Sequence, residues 1–124
     1  MINWEDFNKL CQYFDNETVI YLIDFFVEGD KDENPPSPSY DERMATLKRR
    51  IDELDFKEIQ FNLSSIRGII RNFYDPVADA ASNRLKEMGY SETSVGLTEE
   101  YEKFKIAADK LVIELKEYRK TLTA

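Results

Sequence analysis

Asp55-Phe56-Lys57-Glu58-Ile59-Gln60-Phe61-Asn62-Leu63-Ser64-Ser65-Ile66-Arg67-Gly68 is the stretch on which the fold turns. Phe56, Ile59, Leu63 and Ile66 recur at alternating steps of three and four, and Ile70 and Phe73 continue the series. That spacing predicts one α-helix with a single buried stripe, packed in a bundle. At about 100° per residue, Ser64 and Ser65 lie well away from the stripe, and Phe61 and Gly68 lie nearly opposite it. Lys57 and Arg71 also point outward. An exposed serine or phenylalanine carries no functional weight alone. A glycine inside a helix costs about 1 kcal/mol relative to alanine, so Gly68 calls for a reason; a helix–helix contact within the bundle is one, but Gly68 faces the wrong way for it. Between residues 56 and 73, Lys57, Arg67 and Arg71 stand against Glu58 alone. A locally cationic helix suits a partner with an acidic pocket.

Working outward, five further helices are predicted from periodicity and caps. Asn3 caps the first, carrying Trp4, Phe7, Leu10, Cys11 and Phe14. Asn16 caps the second, with Val19, Ile20, Ile23, Phe26 and Val27, and Gly29 ends it. Residues 29–39 hold three of the four prolines and no large apolar residue, which predicts a mobile loop. Ser39 and Glu42 form a capping-box pattern for a helix carrying Tyr40, Met44, Leu47, Ile51 and Leu54. Asp75-Pro76 opens the next, with Val77, Ala81, Leu85 and Met88, stopping at Gly89. Thr98 caps the last, with Tyr101, Phe104, Ala108, Leu111, Leu115, Tyr118 and Leu122 on its stripe. Nothing reads as a strand. The expectation is one all-α domain over residues 1–124, an up-and-down bundle of amphipathic helices.

Composition bounds what such a bundle can do. The 124 residues carry a net charge of −8, with no histidine and one cysteine, Cys11. An acidic surface repels nucleic-acid phosphates and anionic membranes, so neither is an expected partner. No apolar run approaches the roughly 18 residues that span a bilayer. The opening Met-Ile-Asn-Trp-Glu-Asp lacks the basic start and apolar stretch of a secretory signal, and cytoplasm is the expected compartment. With no histidine and one cysteine, metal sites built on such ligands are excluded. No glycine-rich phosphate loop and no calcium-loop pattern is present, so no cofactor is expected.

The quoted helix resembles the phosphoacceptor helix of the histidine-containing phosphotransfer (HPt) domain. That family shows an acidic residue and an aromatic, then a helix running into His-x-Leu-Lys-Gly. Without a gap, Ser65-Ile66-Arg67-Gly68 fits x-Leu-Lys-Gly, and Ser64 falls on the histidine. The resemblance is best over residues 2–28 and 40–89, and includes Ile2-Asn3-Trp4 and Phe25-Phe26-Val27-Glu28. Ile69-Ile70 stand where the family has small residues, and Tyr74 where it commonly has a glycine. The resemblance implies a four-helix bundle with additional short N-terminal helices, and no phosphotransfer, since the imidazole is missing. It further implies a monomeric, non-enzymatic module that docks a response-regulator receiver domain, or a sensor kinase, through Phe61, Ser64, Ser65, Arg67, Gly68 and Arg71. Two other readings stay open at this point. One is a helical structural or interaction domain unrelated to phosphorelay. The other is a switch in which a phosphorylated Ser64 gains charge beside Arg67 and Arg71. Ser64 as a nucleophile has no Ser-His pair and no Ser-x-x-Lys to activate it.

Overall fold

Side-chain caps decide where most of the helices begin. A computed structural model describes residues 1–123. Its helices are α1 (Trp4–Cys11), α2 (Asn16–Glu28), α3 (Tyr40–Asp52), α4 (Phe56–Ile70), α5 (Pro76–Tyr90) and α6 (Leu97–Leu122), with a short 3-10 turn, Arg71–Phe73, after α4. The Asn3 side chain accepts from Asp6 N, and Ser39 and Glu42 form a complete capping box. Asp55 accepts from Glu58 N, and Asp75 accepts from both Val77 N and Ala78 N. Each carboxylate or hydroxyl satisfies backbone donors that the first turn leaves without partners.

Two expected caps are corrected. Asp15, not Asn16, caps α2, because its carboxylate reaches Thr18 N at 2.7 Å. Gly96, at φ +79°, begins α6 one residue before Leu97, so Thr98 lies inside the first turn. Four ends also shift: α1 stops at Cys11 and α3 at Asp52, so the expected stripe residues Phe14 and Leu54 lie beyond their helices and are exposed. α5 runs one residue past Gly89, and the stripe of α4 reaches the buried Phe73 through the 3-10 turn instead of by continued α-helix.

α3, α4, α5 and α6 form a ring in which each touches the next and α6 closes on α3. Pairings between Gln60 and Gly89, Arg67 and Ser82, and Arg71 and Asp79 show that α4 and α5 run in opposite directions. Tyr40 Oη donates to Asp109 at 2.6 Å, which ties the start of α3 to the middle of α6. α2 lies across α3 and α6, where Arg119 makes a bidentate pair with Asp24 at 2.7 and 3.0 Å. α1 covers one end: Phe7 packs edge-on to Phe73 and Tyr118. The core centres on Phe7, Phe26, Phe73 and Phe104, all fully buried.

The loop expected over residues 29–39 is tied at both ends. Asp30 and Ser37 exchange two backbone hydrogen bonds, at 3.0 and 2.8 Å, and Lys31 pairs with Glu42. Gly29 sits at φ +77°, and a Cβ there would lie 2.4 Å from Ser37 O, so only glycine fits. Among the described residues this lone bridge is the only β-type pairing, and no helix is long and apolar enough to cross a membrane.

The cap of α5 gives a direct test. Asp75 is buried and accepts two first-turn amides. Asp75→Ala should lower stability by about 1–2 kcal/mol in urea unfolding, with helicity retained in circular dichroism.

Candidate functional site

α4 is held in rotation by its stripe. Ile59, Leu63, Ile66 and Ile70 are buried, and Phe56 and Ile69 pack against the core as partly buried neighbours. The opposite face is therefore open. Ser64, Ser65 and Gly68 are exposed there, and Phe61 is 69 % exposed. A Cβ built on Gly68 would meet no atom within 4 Å, so the chain's own packing does not require a glycine at this position.

Ser65 is engaged on one flank. Its Oγ accepts from Arg43 Nη1 of α3 at 2.9 Å, and the Arg43 guanidinium lies 5.8 Å over the Phe25 ring. Burial pushes Arg43 below the ordinary arginine value, although an arginine so placed still carries its charge. Ser64 makes no hydrogen bond with another side chain among the described residues, so of the two serines it is the free one.

Arg67 departs from the expected open face. It is 7 % exposed and points along the other flank, into the seam between α4 and α5. Its Nε donates to Ser82 Oγ at 2.9 Å, and Ser82 Oγ donates to Asp79 O at 2.8 Å. The reason is geometric. The stripe marks the direction of the bundle centre, but α5 packs on one side of that direction and covers the next row, Gln60 and Arg67. Gln60 Nε2 donates to Gly89 O at 3.0 Å in the same row. Arg71 stays exposed, with its Nε 3.7 Å from Asp79 Oδ1.

Above this seam the two helices leave a cleft of about 320 Å³. Ser64, Arg67 and Gly68 line it from α4, Arg71 from the 3-10 turn that follows, and Lys86 and Tyr90 from α5, with the Lys86 Nζ 6.0 Å from the Tyr90 ring centre. The face of Phe61, Ser64 and Gly68 thus continues into a cationic groove. Of the six expected contact residues, Phe61, Ser64, Ser65, Gly68 and Arg71 are exposed on one side of α4, and Arg67 is a buried strut beneath them. The expectation missed Asp79, Ser82, Lys86 and Tyr90. Their signal was a polar row on α5 at steps of three and four, which periodicity read only for apolar residues does not pick up.

Chemically, the arrangement offers a hydroxyl, a cluster of cations and the Asp79 carboxylate, which faces Arg67 and Arg71 and makes no hydrogen bond to Ser64. The chain has no imidazole, and Arg67, Arg71 and Lys86 are the charged groups around Ser64. It suits holding an anion or a partner surface rather than activating Ser64 as a nucleophile.

Gly68 can be tested without any partner. Because nothing surrounds the position, Gly68→Ala should raise stability by about 0.5–1 kcal/mol in urea unfolding, the helix-propensity difference between the two residues. A loss of stability would place a contact at Gly68 that the fold itself needs.

Comparison with family models, curated proteins and solved structures finds no match to the chain.

Proposed function

We propose that this protein is an HPt-like binding module that has lost phosphotransfer and docks a receiver domain on the outer face of α4. The observation that carries the reading is the coincidence at Gly68. Helix propensity opposes a glycine there, no atom of the fold needs one, and it sits one turn from the exposed Ser64. A position that forgoes stability without an internal reason fits one reserved for a partner's close approach. The ring of α3 to α6, with α1 and α2 laid over it, is in keeping with the HPt arrangement of a four-helix bundle with N-terminal helices.

Charge favours the same partner. The cleft beside Ser64 carries Arg67, Arg71 and Lys86 on a chain whose net charge is −8. A receiver's acidic pocket, built around its phosphoaccepting aspartate, is complementary to that cluster and would be repelled by most of the remaining surface. Phe61 supplies apolar area at the edge of the contact. With serine in place of the phosphoacceptor, the complex would occupy the receiver without relieving it of a phosphoryl group.

Two measurements test this. Titration calorimetry with receiver domains from the native host should give saturable binding that Gly68→Gln and Phe61→Glu each weaken by at least about tenfold, or roughly 1.4 kcal/mol, with helicity unchanged. Unchanged affinity in both variants would put the partner elsewhere. Mixing the protein with a phosphorylated receiver should leave no acid-labile phosphate on this chain, and stoichiometric labelling would overturn the reading.

A further inference from the structure

The cationic cluster between α4 and α5 is incompletely satisfied by the protein. The Arg67 side chain is 8 % exposed and uses Nε on Ser82. Its two terminal nitrogens carry four further N–H donors, and they make no hydrogen bond with the chain among the described residues. The nearest carboxylate oxygen, Asp79 Oδ1, stands 3.5 Å from Arg67 Nη2 and 3.7 Å from Arg71 Nε. That oxygen is itself buried and has no hydrogen-bond partner. One carboxylate therefore faces two guanidiniums at distances too long for good hydrogen bonds, and Lys86 adds a third cation to the same cleft.

We propose that this cleft is an oxyanion-binding site for a phosphate-type group, with Asp79 as its built-in counter-charge. The Arg67 side chain is buried along its length and its guanidinium is pre-oriented by Ser82, so little ordering remains to be done when an anion arrives. Arg71 is mostly exposed and Lys86 is half-buried, and both reach the cleft from its two walls. The Ser64 hydroxyl supplies a neutral donor at the rim, and the absent side chain at Gly68 leaves the mouth open. Asp79 keeps the empty cluster from carrying three uncompensated charges, and it competes with any ligand for Arg67 and Arg71. The site does not depend on the receiver reading, because inorganic phosphate and a phosphorylated group on another molecule present the same oxygens.

The test is a titration of the full chain with sodium phosphate at fixed pH and ionic strength, followed by backbone and arginine Nε–H resonances. Saturable shifts at Ser64, Gly68 and the Arg67 Nε–H are expected. Lys86→Gln and Arg71→Gln should each weaken binding by about three- to tenfold, and Asp79→Asn should tighten it by a similar factor, with all three variants folded by circular dichroism. A second arm uses phenyl phosphate. Tighter binding than inorganic phosphate assigns the site to a phosphorylated group, with Tyr90 beside the ring, and equal or weaker binding assigns it to the free ion. Absence of saturation, shifts spread over lysines and arginines elsewhere, or affinity unchanged from the parent chain in both Lys86→Gln and Arg71→Gln would each overturn the proposal.

Discussion

The rotational setting of α4 is the constraint on which everything else depends. Ile59, Leu63, Ile66 and Ile70 are each at or below 1 % exposure. Burying a side chain of that size is worth roughly 1.5–3 kcal/mol, so turning the helix by one residue would forfeit several such contributions and force serines into the core. Because the stripe cannot rotate, Ser64 and Gly68 cannot turn inward and Arg67 cannot turn fully outward. The site is in this sense a by-product of core packing, and its residues are displayed by positions they do not touch.

Arg67 shows how a charge is accommodated at the margin of that core. Removing a guanidinium from water is costly unless its donors find acceptors. Here Ser82 takes one donor, Asp79 lies near the far end, and the cleft admits solvent to the rest. The alkyl part of the side chain fills the seam between α4 and α5 while the charged end stays at the water boundary. The small Gly89 on the facing helix has the complementary role: a Cβ there would lie 3.3 Å from Gln60 Cγ, so its absence lets the two helices approach where Gln60 crosses.

Much of the fold was legible because the rules that produce it are local. The alternating apolar steps from Phe56 to Phe73, the Ser39–Glu42 box and the Asp75-Pro76 start each act within one or two turns, and each is present where the pattern placed it. The misplaced starts at Asn16 and Thr98 were choices between capping residues one or two positions apart, which spacing separates poorly. The site was half legible for a related reason. Helical angles placed Ser64 and Gly68 outside, but the side on which α5 would lie is a property of the assembled ring. The burial of Arg67 and the arrival of Lys86 and Tyr90 depend on contacts between residues far apart in the chain, and no single-helix pattern contains them.

The bridge between Asp30 and Ser37 has a practical corollary. Its two backbone hydrogen bonds hold the ends of the segment together, while residues 31–36 between them are all exposed. The bridge closes the neck of that tip, so extra chain spliced into it beyond Lys31, which pairs with Glu42, changes the closure entropy only slowly, by roughly 0.6 kcal/mol per doubling of length. The tip lies in the connection between α2 and α3, and none of residues 31–36 lines the α4–α5 cleft. It is a natural graft point for a fluorescent label or a tethering peptide that interrupts neither helix of the cleft.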